Sequence, residues 1–302
     1  MIKNSVIVPT YNRSSLLAGC LNALAKQTVH AENYEIIVVN DGSKDDTDEV
    51  IKKFRETNPS LNFIYLKQKN GGPAKARNAG IKAAKGEIIF FTDDDCVVPP
   101  EWMETLLDAY RRYPDIAGVG GWYRYAEDNL ELQNNIIVQY RNYLFHREFE
   151  GNAMKEIKIV RISKIIAGNT ANMSYLKSAL EKVGGFDETF DALGLEDFEL
   201  AKQVVDSGSP LLYMPYFVED KKLPTWNMIL KRWFHFGRSR YLFSKKYPNL
   251  RSRYEPNFQK NVINQAKGIT WLFSQNFVII FLHFLFSRAG WDYQTFKEKL
   301  ML

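Results

Sequence analysis

The chain has 302 residues, of which 45% are apolar and 25% charged, and its 40 Lys and Arg against 35 Asp and Glu give a formal net charge of +5. That size and balance exclude a mostly disordered chain and a polytopic membrane protein, and they leave room for one large domain or two small ones. Two cysteines, Cys20 and Cys96, cannot build a disulfide framework, and no Cys/His cluster has zinc spacing, so a reducing compartment is expected.

The opening MIKNSVIVPTYN turns polar too soon for a signal peptide and reads as a first buried strand. Four short runs predict strands: residues 5–9 (SVIVP), 35–39 (EIIVV), 62–66 (NFIYL) and 87–91 (EIIFF). Between them, residues 14–26, 45–55 and 74–84 predict helices, with Gly86 expected as a C-cap after the third. Strands apolar on both faces, alternating with helices, imply an α/β fold with a parallel sheet covered on both sides. Further helices are expected at 132–147, 174–183 and 195–206, and a strand at 213–218.

The polar residues that look chemical follow the predicted strands. Thr10, Tyr11, Asn12 and Arg13 follow the first, Asn40 to Ser43 the second, Asn70 to Gly72 the third, and Asp93, Asp94 and Asp95 the fourth. Open α/β sheets bind ligands outside the carboxyl ends of their strands, so these loops converge on one crevice. Three adjacent carboxylates repel one another and call for a counter-cation; hard ions such as Mg2+ or Mn2+ suit them. Asp41 fits either an Asx-type turn or a carboxylate that meets a pyrimidine imide or a ribose. The NGGPAKARNAGI segment puts Lys75 and Arg77 at a helix start, where a phosphate or a base edge can be cradled. Glu196 and Asp197 open a helix; they fit plain capping of the helix dipole, or a general base.

SVIVPTYNR, VVNDGSKDDT, NGGPAKARNAGI, FFTDDDC and GLEDFEL, in this order and spacing, resemble the family 2 glycosyltransferases of GT-A fold, and GNTANMSYLKSALEKVGGFDETF resembles the stretch that precedes their Glu-Asp motif. The resemblance covers about residues 4–220. It implies a Rossmann-like, mostly parallel central sheet flanked by helices, and an inverting transfer from a nucleotide-diphospho-sugar, UDP-sugar favoured, to an acceptor hydroxyl. It implies that Pro9, Thr10, Tyr11, Asn12, Arg13, Asp41, Lys75, Arg77, Asp93 and Asp94 line the donor site. Asp95 and Asp93 match the metal-binding Asp-x-Asp, with Mn2+ or Mg2+ as cofactor. Asp197 matches the catalytic base, with Glu196 beside it. Where many relatives carry a metal-binding His, this chain has Asp220, so the third metal contact is left to Asp220, His235 or water. A sugar nucleotidyltransferase is disfavoured because PTYNRSS lacks a glycine-rich loop; a non-catalytic glycan- or nucleotide-binding scaffold is the other alternative.

The positive charge is local. Residues 216–268 hold twelve basic and three acidic residues, a surplus of nine, so the remainder carries −4. The basic, aromatic stretch at 232–248 fits nucleic acid, an anionic membrane surface or diphosphate contact by a mobile loop; relatives often use this region as a lid, which implies that Arg238 or Arg240 could reach the donor phosphates. Residues 268–287 carry no formal charge and are flanked by Lys267 and Arg288, which suits a membrane-surface helix, a helix buried in a dimer or against the domain, or a span. The expected organisation is a catalytic domain at 1–220 and a basic, aromatic, helical extension at 221–302. Expected partners are the nucleotide-sugar, a glycan or lipid-linked acceptor, the inner face of the cytoplasmic membrane as a peripheral contact, and a second copy through the C-terminal region; nucleic acid is not expected.

Overall fold

The computed structural model describes residues 2–125, 131, 135, 138, 158–160, 169–190, 194–251 and 275–300. Strands β1 (Asn4–Thr10), β2 (Tyr34–Asn40), β3 (Asn62–Lys67) and β4 (Ile88–Phe91) lie in the order β3-β2-β1-β4 and all pair in parallel. Side chains alternate across a strand, so a strand apolar throughout needs cover on both faces. Val6, Val8, Ile36 and Val38 meet α1 (Ser14–Leu24), α2 (Thr47–Thr57) and α4 (Trp102–Arg112) on one face. Ile7, Ile37, Val39 and Ile89 meet α3 (Pro73–Ala83), α5 (Lys177–Val183) and α6 (Glu196–Asp206) on the other.

Beyond β4 the sheet turns mixed, so the expected parallel arrangement holds for its first half. β8 (Met173–Leu176) runs antiparallel to β4 and to β6 (Gly118–Tyr125), and β6 is parallel to β9 (Leu211–Asp220). Two short strands, β5 (Cys96–Val97) and β7 (Lys158–Val160), pair antiparallel with opposite ends of β9. The helix expected at 174–183 starts only at Lys177. Its first residues are β8, because Met173 and Tyr175 bury fully against the core while the backbone bonds both neighbouring strands. Gly86 is not a cap: α3 has ended before it, and a Cβ there would lie 2.5 Å from the Asn4 backbone. The helix expected at 132–147 lies largely outside the described residues.

After β9 come two long helices, α7 (Trp226–Lys246) and α8 (Gln275–Leu300). Their contacts advance in step from Trp233–His283 to Lys245–Glu298, so both point the same way. They cross closely at Gly237 and Gly290, where a Cβ would lie 1.9 Å from the Ser287 carbonyl oxygen and 1.8 Å from that of Phe234. Phe243 of α7 joins Phe190 and Leu195 in a buried cluster in front of α6. Among the described residues no helix is long and apolar enough to cross a membrane.

Candidate active site

The parallel strands deliver their carboxyl ends to one rim, and the acidic run after β4 lies there. Its three side chains diverge. Asp94 turns inward, 2% exposed, and accepts hydrogen bonds from Thr10 Oγ1 and Arg13 Nη1, both at 2.8 Å. Burial pushes its carboxyl up to about 6, against the pull of Arg13. Burial opposes the charge of Arg13, but Asp94 and Asp95 outweigh it and hold the guanidinium ionised. Asp93 and Asp95 stay open to the crevice, at 33% and 12% side-chain exposure. Asp93 pairs with Arg77 at 2.9 Å; Asp95 pairs with Arg13 at 3.0 Å and with Lys222 at 3.8 Å.

Arg77 links two motifs far apart in sequence. From the buried face of α3 its guanidinium reaches Asp93 with Nη2 and Glu196 Oε1 with Nη1, at 3.0 Å, and it lies over the Phe186 ring. Glu196 is buried and also accepts the Gly194 N–H at 2.9 Å. The turn into α6 is strained: Leu195, a bulky residue, has φ 71°, and Gly194 has φ 126°. That turn opens α6 with Asp197, whose Oδ1 accepts the Phe198 N–H at 2.8 Å and which lies within electrostatic reach of Arg77 and Asp93. Burial, reinforced by the Glu196 charge, raises the Asp197 carboxyl to about 7, although Arg77 pulls the other way. A carboxyl in that range exchanges protons near neutral pH, as a general base must.

Asp41 is a brace. Gln68 Nε2 and the Gly71 N–H donate to Oδ1, while Asn70 Nδ2 and the Gly72 N–H donate to Oδ2, all within 3.1 Å. A carboxylate offers about four acceptor positions, so this loop fills them. Asp41 can therefore meet a base imide only by releasing one loop donor. Asn12, at φ 52°, ties its loop to the next by accepting the Lys44 N–H at 2.7 Å. Tyr11 and Lys75 are exposed at the rim, Lys75 folded over Gly71, and Pro9 lies in β1 opposite Val39.

The structure does not bring Arg238 to this crevice. Its Nε donates to Gln294 Oε1 at 3.2 Å and its guanidinium lies over Tyr293, because that side of α7 packs on α8. Arg240 lies over the Phe236 ring. His235 is edge-on to Phe234, and His283 stacks on Trp233 with its imidazole held down to about 3 by burial and Arg240. The basic residue of this region that meets the acids is Lys222, 3.8 Å from Asp95, with Arg232 of α7 close enough to act on it electrostatically. Burial lowers the Lys222 ammonium, with Arg13 and Arg232 acting in the same sense. Sequence reasoning missed them; the one available signal was that Lys222 lies two residues past Asp220.

Asp220 closes the acidic edge. It is buried, and its backbone pairs with that of Cys96, next to Asp95. Among the described residues no three His, Cys, Asp or Glu side chains form a ready cage for a metal. A Mg2+-type ion does not need one, since it is held by one or two carboxylates with phosphate and water. Asp95 and Asp93, hard oxygen donors open to the crevice and now facing protein cations, fit that requirement.

The family model for glycosyl transferase family 2 matches residues 5–184. Glycosyltransferase AglE of Haloferax volcanii is 29% identical over 234 residues, which is 78% of this chain and 71% of AglE. The poly(ribitol-phosphate) beta-N-acetylglucosaminyltransferase TarS of Staphylococcus aureus is 41% identical over 109 residues, 36% of this chain and 18% of TarS. Other curated relatives are matched over about half their length or less. The mannosyltransferase PcManGT of Pyrobaculum calidifontis, solved with GDP-Man and Mn2+, superposes with a TM-score of 0.67 at 16% identity, over 98% of this chain and 87% of its own. TarS 1–349 with UDP-GlcNAc gives a TM-score of 0.56 at 18% identity, over 92% and 76%. The mixed sheet flanked by helices is therefore the GT-A fold, and the chain belongs to glycosyl transferase family 2.

Proposed function

We propose that the chain transfers a sugar from a nucleotide-diphospho-sugar to an acceptor hydroxyl, with inversion at the anomeric carbon. One observation carries the reading: a carboxyl raised to about 7, Asp197, stands at the cleft and is joined through Glu196 and Arg77 to the acidic rim. Asp197 takes the proton of the acceptor hydroxyl as that oxygen attacks the anomeric carbon from the face opposite the leaving diphosphate. Glu196 and Arg77 set the charge around the base. No covalent intermediate is required. When bound, a divalent ion at Asp95 and Asp93 supplies charge neutralisation to the leaving group.

PcManGT with GDP-Man and Mn2+ and TarS with UDP-GlcNAc support the donor class. A UDP-sugar is the first donor to test, with GDP-sugars next. The acceptor we propose is a glycan or lipid-linked glycan of the cell surface, met at the cytoplasmic face of the membrane. Leu285 and Phe296, exposed on α8, support a peripheral membrane contact. The lysines beside the extension do not, since Lys221, Lys245 and Lys246 pair with Glu219, Glu298 and Asp187. The test is a thermal-shift screen of UDP-, dTDP- and GDP-sugars with and without Mn2+, followed by donor turnover. Wild-type turnover in Asp197→Asn or Asp95→Ala overturns the proposed mechanism.

A further inference from the structure

β9 ends at Asp220, opposite Cys96, so the chain leaves the sheet beside Asp95. Two backbone bonds fix the exit: the Lys221 N–H donates to the Asp95 carbonyl, and the Lys222 N–H to Asp220 Oδ1, each at 2.9 Å. The Lys222 side chain then returns over the acidic run. Its Nζ lies 3.8 Å from Asp95 Oδ2, the same oxygen that Arg13 Nη1 reaches at 3.0 Å. Two cations thus converge on one carboxylate oxygen.

Arg13 meets both Asp94 and Asp95, Lys222 meets Asp95 as well, and Arg77 is shared by Asp93 and Glu196. A divalent cation added alone at Asp95 sits beside Arg13 and Lys222 and meets their repulsion. A cation arriving with a diphosphate brings its own compensation. Arg13 is held by Asp94 at 2.8 Å as well as by Asp95 at 3.0 Å, whereas the Lys222 ammonium meets Asp95 at the longer 3.8 Å and is the looser of the two. It has a flexible four-carbon stem, so it is the group able to move.

We propose that Lys222 is an exchangeable counter-ion: it rests on Asp95 in the donor-free protein and passes to the donor diphosphate when a divalent cation takes Asp95. This rests on the nucleotide-sugar reading above. It makes Lys222 a positioning residue for the leaving group, and it makes cation and donor bind together far better than the cation binds alone.

The test measures binding, using Lys222→Met and Lys222→Arg. Mn2+ alone is titrated by electron paramagnetic resonance, and UDP and GDP by calorimetry at saturating Mn2+. In Lys222→Met, Mn2+ alone is expected to bind roughly tenfold tighter and the nucleotide diphosphate roughly tenfold weaker. Lys222→Arg is expected to stay near wild type in both. General damage to the site weakens both ligands, so the opposite signs separate exchange from a merely structural role. If wild-type protein binds UDP or GDP while Lys222→Met leaves Mn2+ affinity unchanged or lowers it, the exchange is overturned and the donor reading stands. If wild-type protein binds neither nucleotide, both fall together.

Discussion

Replacing Asp197 by Asn separates stability from function in a pH-dependent way. Folding raises the Asp197 carboxyl from 3.8 to about 7. Between these values the unfolded chain has released the proton and the native state still holds it. The unfolded state binds fewer protons there, so the group lowers stability progressively as pH rises from about 4 to about 7. Asn cannot ionise and escapes that penalty. Such a shift corresponds to a full effect of a few kcal/mol (about 4) above pH 7, of which about a third is already present at pH 5. The stability advantage of Asp197→Asn over wild type should therefore grow by about 2–3 kcal/mol between pH 5 and pH 8. Urea denaturation of both proteins at the two pH values reads this directly, and donor turnover at pH 8 should fall by about two to four orders of magnitude in the same variant. A stability difference that does not change with pH refutes the raised carboxyl, whatever the activity shows.

Other consequences are separate. The acid limb of kcat/KM should fall near pH 7, and Glu196→Gln, which removes the like charge acting on Asp197, should move it down by about one unit; a limb near pH 4 in wild type speaks against Asp197 as the base. Asp41→Asn leaves an amide facing loop N–H groups and should cost about 1–3 kcal/mol, with faster amide exchange at residues 70–72. Lys246→Met leaves the fully buried Glu199 with Tyr247 and Gln203 as donors, and should cost about 2–3 kcal/mol in urea and expose α7 to limited proteolysis. Gly237→Ala drives a methyl into the Ser287 carbonyl and should lower stability by about 1–3 kcal/mol or more; an unchanged melting temperature contradicts the close crossing.

The first half of the sheet was legible because β1, β2 and β4 are buried on both faces and so carry unbroken apolar runs. The second half was not, for physical reasons. β6 reads GVGGWYRY, and its glycines answer a close approach rather than a strand propensity: a Cβ at Gly121 would lie 1.9 Å from the Tyr216 carbonyl oxygen. β8 merges into α5 without punctuation, so MSYL reads as the start of the helix. In the site, the acidic run and the Glu-Asp pair were readable as local motifs. Their counter-cations were not, because Arg13, Arg77 and Lys222 come from three separate segments that only the topology brings together. The contacts of Arg238 were illegible for the same reason: the basic, aromatic stretch that holds it does not reveal which side of α7 packs on α8.

The most direct test of the central claim is proton NMR of the sugar released or transferred from an α-linked UDP- or GDP-sugar with Mn2+, recorded before mutarotation. Wild-type protein should give a β anomer as the first product, and Asp197→Asn should give product slowed by about two to four orders of magnitude. A first product of retained configuration, or undiminished product from Asp197→Asn, contradicts that claim.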